Sequence, residues 1–159
     1  MMKEKNFDYY IFMDYSENLI GYIIIDKNNL NKLLPKISKL KHYTKLKYKR
    51  PYLRSIKKLF KKNKIQDFIK KHRITELRQN LEVCSEIFDF CIKNIDLRIF
   101  ISVDDRQYNG FMRIAKILDG KRFTIIKEGK LKKGSKEYQM SLIIDNLLNL
   151  RRIRKKIIE

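Results

Sequence analysis

The run DLRIFISVDD, Asp96 to Asp105, constrains this chain more than any other stretch. It lacks the polar alternation of a half-exposed strand and is too short for an isolated helix, so it reads as a central strand of parallel type. Such a strand needs partners on both edges and cover on both faces. An α/β architecture follows.

The rest of the chain supplies those partners. Residues 8 to 25, DYYIFMDYSENLIGYIII, alternate and then run apolar around SEN, the pattern of a β-hairpin whose first strand ends near Asp14. Residues 27 to 40 give a short helical pattern interrupted by Pro35, and PYLRSIKKLFKKNK starts a second helix at Pro51. Thr75 is placed to cap a third helix to about Asn94, with Leu77, Leu81, Cys84, Phe88, Cys91 and Ile95 on one face. A helix from Tyr108 to about Leu118, a strand KRFTIIK, a basic loop EGKLKKGS and a long helix from Lys136 complete the pattern. The expected fold is one domain over 1–159: a mixed sheet, N-terminal hairpin plus parallel strands, flanked by helices, with a basic helical insertion over about 27–66.

Charge narrows the partners. The chain carries 38 Lys and Arg against 18 Asp and Glu, a formal net charge of +20, and such a surface attracts polyanions. Nucleic acid is the leading expectation and an anionic membrane the second. No apolar run approaches the roughly 20 residues that span a bilayer, and MMKEKNFDYY lacks the apolar core of a signal peptide, so a cytoplasmic location is expected. Cys84 and Cys91, seven apart on one helix face, are too distant for a disulfide and read as small buried apolar residues.

Against that basic background, a few acids stand where the apolar pattern predicts none: Asp14 at the end of the first strand, Asp104 and Asp105 at the end of the central one, and Asp145 inside SLIIDNLLNL. Asp105 has an ordinary alternative as cap of the helix starting near Tyr108. Asp145 is harder to explain, because a carboxylate among Leu142, Ile143, Ile144, Leu147 and Leu148 needs a cation. If the first and central strands lie side by side, Asp14 and Asp105 meet at the carboxyl ends of the strands, and a final helix packed there adds Asp145. Three hard oxygen donors suit magnesium or manganese.

These residues carry a resemblance. MDYS at 13–16 resembles the Asp-x-Ser of the first strand in ribonuclease H-like nucleases, DRQY at 105–108 resembles their Asp-x-Gln-Tyr after the fourth strand, and DNLLNL from Asp145 is similar to the stretch carrying the acid on their last helix. A closer resemblance is to an uncharacterised family of this fold that opens with Asp-Glu-Ser-Gly and carries Gln-x-x-Asp on its final helix. Here the opening is Asp14-Tyr15-Ser16-Glu17, and the helix runs from Gln139 through Asp145 to Arg151 and Arg152. The chain departs from ribonuclease H proper in having no unique counterpart of its helical Glu, for which Glu76 and Glu82 both qualify. The basic insertion also stands where a third strand is expected.

The resemblance implies phosphodiester hydrolysis by two divalent ions, Mg2+ or Mn2+. It assigns Asp14 to bridge both ions and Asp105 and Asp145 to hold one each, with Asp104 and Glu17 as reserve ligands. Lys127, Lys130, Lys132 and Lys133 would approach the scissile phosphate of RNA or DNA.

A non-catalytic reading rests on the segment 39–64. Between Lys27 and Gln66 there is no acid and there are 15 Lys and Arg. Lys45, Lys47, Lys49, Arg50, Arg54, Lys57 and Lys58, interleaved with Tyr43, Tyr48 and Tyr52, have the composition of a backbone-tracking surface with stacking platforms for bases. In a third reading the chain is a subunit that docks on an RNA–protein assembly, its basic segment ordering only there.

Overall fold

The computed structural model describes residues 7–94, 97–117 and 123–158, with side chains given up to Arg154 in the last helix. The expected positions Ile95, Leu118, Lys121 and Arg122 lie outside the described residues.

Five strands form one sheet: β1 (Tyr9–Ser16), β2 (Leu19–Asp26), β3 (Lys71–Glu76), β4 (Ile99–Val103) and β5 (Phe123–Lys127), in the order β3-β2-β1-β4-β5. β1, β2 and β3 pair antiparallel, whereas β4 is parallel to both β1 and β5. This is the mixed arrangement of a hairpin plus parallel strands that the apolar pattern led us to expect. Every residue of β4 is buried, as its unbroken apolar run demands.

Helices cover both faces. On one lie α1 (Lys27–Leu33), α2 (Lys49–Lys62) and α5 (Lys136–Ile158), whose Leu33, Ile56, Ile143 and Leu148 pack with Phe12 and Phe100 of the sheet. On the other lie α3 (Asn80–Lys93) and α4 (Tyr108–Ile117), whose Ile87, Phe88, Phe111 and Ala115 pack with Ile11, Ile101 and Val103. The alternation of strand side chains thus decides which residues face α5. Cys84 and Cys91 are free and buried on α3.

Three expectations need correction. Thr75 lies inside β3, bonded to Gln79, and α3 begins five residues later at Asn80. The third strand therefore follows the insertion and is a polar edge strand, KHRITE, whose pattern resembles a loop. Leu81 is 79% exposed, because Val83, Cys84, Ile87, Phe88 and Cys91 set the buried stripe of α3.

The insertion is stitched to α5. The Gln139 side-chain amide donates to the carbonyls of Ile37 and Leu40, and that of Asn146 donates to the carbonyl of Lys41. With Ile37, Leu40, Tyr43, Leu53 and Ile56 buried, the segment is part of the core even without a partner.

Candidate metal centre

The site follows from strand register. Phe12 of β1 pairs with Ser102 of β4, and Ser102 with Ile126 of β5. Two residues further along each strand come Asp14, Asp104 and Glu128, so all three share the face covered by α5. Their carboxylates each offer an oxygen within 4.8 Å of the others. Asp14 is 5% exposed, while Asp104 and Glu128 are half-buried.

Local bonds orient each acid. The Tyr15 N–H donates to Asp14 Oδ1 at 2.8 Å, and the Arg106 N–H donates to Asp104 Oδ1 at 2.8 Å. Glu128 opens the helical turn Glu128–Lys130, whose Gly129 N–H donates to Asp105 Oδ1 at 3.1 Å. A Cβ on Gly129 would stand 2.5 Å from Asp105 Oδ2, so a larger residue here would push the exposed Asp105 carboxylate aside.

Asp145 of α5 lies near enough for its charge to act on Asp14 and Glu128. Its Oδ2 accepts the Tyr43 N–H at 3.0 Å, and its Oδ1 lies 3.9 Å from His42 Nε2. Gly21 lets the helix come this near: a Cβ there would meet the Arg73 carbonyl oxygen at 3.0 Å and Ile144 Cδ1 at 3.1 Å.

Burial and mutual repulsion raise the pKa values of these acids. Desolvation pushes Asp14 well up, and the negative charges of Glu128, Asp145 and Asp104 push it further. Glu128 is raised to about 7, first by desolvation and then by Asp104, Asp145 and Asp105, offset in part by a hydrogen bond with Asp14. Desolvation also raises Asp104, opposed by the Arg106 N–H, and Asp145, opposed by the Tyr43 N–H, His42 and Arg152. Clustered hard-oxygen donors of this kind fit a divalent cation, which would relieve the repulsion.

The structure therefore brings together Asp14, Asp104 and Glu128, and it does not place Asp105 with them as expected. Asp105 is exposed and turned to Gly129, because it falls out of phase with the strand alternation of Phe100, Ser102 and Asp104. Glu17 sits in the hairpin turn at φ 52° and pairs with Arg152 at 3.0 Å. Glu76 and Glu82 pair with Arg78 and Arg73. Glu128 was missed, yet it is the one acid in a basic stretch and directly follows the strand beside β4.

The basic candidates divide. Lys45, Lys47, Lys49, Arg50, Arg54, Lys57 and Lys58 are exposed, as are Lys130, Lys132 and Lys133 near the acids. Tyr48 is 70% exposed, but the Tyr52 hydroxyl accepts the Lys41 N–H at 2.7 Å and donates to its carbonyl at 3.1 Å. Tyr43 is buried beneath Lys49 and Arg152. Lys127 lies over the Tyr108 ring at 5.0 Å.

No family model and no curated protein matches this chain. Among solved structures, the PCNA:RNase HII complex from Archaeoglobus fulgidus includes a chain that superposes with a TM-score of 0.47 at 14% identity, over 94% of this chain and 74% of that one. No helix among the described residues is long and apolar enough to cross a membrane.

Proposed function

We propose that Asp14, Asp104 and Glu128, with Asp145 opposite, form the centre of a metal-dependent nuclease acting on RNA or DNA. The observation that carries this reading is the meeting of three carboxylates within 4.8 Å at the carboxyl ends of three adjacent parallel strands. A bound Mg2+ or Mn2+ would activate water and stabilise the leaving oxygen of the phosphodiester.

The chain's own groups prepare that chemistry. Asp104 stands at the end of the middle strand, between Asp14 of β1 and Glu128 after β5, and Asp14 is the most buried of the three; together these carboxylates would hold the ions. The raised pKa values of Asp14 and Glu128 favour a shared proton that limits their repulsion, and a bound cation would displace it. Arg106, stacked on Tyr15 at 4.0 Å, and Lys130, Lys132 and Lys133 put positive charge at the rim, where phosphates approach.

The test is cleavage of labelled single-stranded and duplex RNA and DNA in Mg2+ or Mn2+. Asp14→Asn, Asp104→Asn and Glu128→Gln should each lower the rate by more than about 100-fold, the upper figure for groups that merely orient a ligand. Cleavage that survives all three substitutions contradicts the proposal.

A second reading, non-catalytic nucleic-acid binding through 39–64, is favoured by the exposure of Tyr48 and the seven surrounding cations. It predicts salt-sensitive binding in EDTA and no cleavage.

A further inference from the structure

A groove of about 870 Å³ opens between α2, the edge strand β3 and the outer flank of α5. That volume lies within the roughly 300–1,000 Å³ of typical ligand sites. Phe60, Ile74, Leu147 and Leu150 give it an apolar floor. Lys57, Lys61 and Lys64 rise on one wall and Arg151 and Arg154 on the other.

All five cations are exposed, and none has an ion-pair partner among the described residues. Arg73, also at the groove, is already engaged by Glu82 and Glu86, and Asp67 is the one acid lining it among the described residues. Positive walls over an apolar floor containing an aromatic ring match a chain that offers phosphates outward and flat apolar faces inward.

The groove is separate from the acids. On α5, Asp145, Asn149 and Arg152 recur at intervals of four and three and share one face, whereas Leu147, Leu150, Arg151 and Arg154 occupy the opposite one. Across the sheet, Asp14 pairs with Gly21 and Gly21 with Ile74, so the groove floor stands two strands, roughly 10 Å, from the acidic row.

We infer that this groove binds unpaired nucleotides of a single-stranded nucleic acid, with phosphates on the Lys and Arg walls and bases against Phe60 and the aliphatic floor. Unpaired nucleotides are specified because a duplex keeps its base faces stacked inside and cannot present them to a concave apolar surface. Binding here needs none of the carboxylates and goes beyond the proposed hydrolysis.

The experiment measures binding of fluorescein-labelled oligouridylate and oligothymidylate in EDTA over a salt series, with a blunt duplex and phosphatidylserine vesicles as competitors. Arg151→Glu/Arg154→Glu and, on the other wall, Lys61→Glu/Lys64→Glu should each weaken single-strand binding about tenfold or more, with melting curves confirming the fold. Each should also flatten the salt dependence by about 0.7 for every phosphate that is no longer neutralised. Phe60→Ala should weaken binding without changing that slope. Unchanged binding by both charge-reversed pairs, equal competition by the duplex, or capture by vesicles in place of oligonucleotides would overturn the inference. Because cleavage is not read, failure here leaves the nuclease proposal standing, and inactivity there leaves this one standing.

Discussion

Asp105 accepts the Gly129 N–H at 3.1 Å, and this bond ties the turn after β4 to the turn that carries Glu128. Asp105 thus acts on the acidic cluster through another residue's backbone.

That bond predicts that Asp105 positions the cluster rather than ligating a metal. Asp105→Asn keeps the Oδ1 acceptor and should retain most metal affinity, whereas Asp105→Ala should lose about 10–100-fold, as for other groups that orient ligands. Gly129→Ala, whose Cβ collides with Asp105, should match Asp105→Ala. Isothermal titration with Mn2+ checks this, and equal losses in Asp105→Asn and Asp105→Ala would make Asp105 a direct ligand.

The metal-free protein should be more stable in acid than at neutrality. Glu128 titrates near 4.5 when unfolded and is raised to about 7 in the fold. The native state therefore holds its proton over that interval, so stability is full below about 4.5 and is lost as pH rises through about 7. The displacement corresponds to on the order of 3 kcal/mol, shared with Asp14. Melting temperatures in EDTA should fall across this window, Glu128→Gln should flatten the fall, and Mn2+ should restore stability at about pH 7.

Gly21→Ala should destabilise the fold by about 1–3 kcal/mol, the usual cost of overpacking, because its Cβ meets a backbone oxygen and the α5 side chain Ile144. Thermal unfolding checks the fall in Tm. Since the same helix carries Asp145, cleavage should decline with it.

Tyr48 and Tyr52 should part company. Tyr52→Phe removes a hydroxyl bonded twice to the Lys41 backbone and should cost roughly 1 kcal/mol of stability with little change in oligonucleotide binding. Tyr48→Ala should leave stability intact and weaken single-strand binding by about 1–3 kcal/mol if its ring stacks on a base.

Much of the fold was legible because its signals were dense. The unbroken apolar run of β4, the β1–β2 hairpin and the long helix from Lys136 each announce themselves through periodicity. β3 did not, since an edge strand reading KHRITE must be polar and looks like a loop. The acids were legible as a class but not in detail. Asp14 and Asp145 stood out as carboxylates in apolar surroundings, while the choice between Asp104 and Asp105 depended on strand phase rather than on the helix that follows. Glu128 required knowing that β5 lies beside β4 in register, a long-range fact that local composition conceals.

Mn2+ binding followed by loss of the free-ion EPR signal, on the wild type, Asp104→Asn, Glu128→Gln and Glu17→Gln, probes the cluster with no substrate present. The wild type and Glu17→Gln should bind Mn2+ alike, and Asp104→Asn and Glu128→Gln should bind at least about 100-fold more weakly. A wild type that takes up no Mn2+, or a Glu128→Gln variant that binds it as well as the wild type, would contradict a metal centre built on Asp14, Asp104 and Glu128.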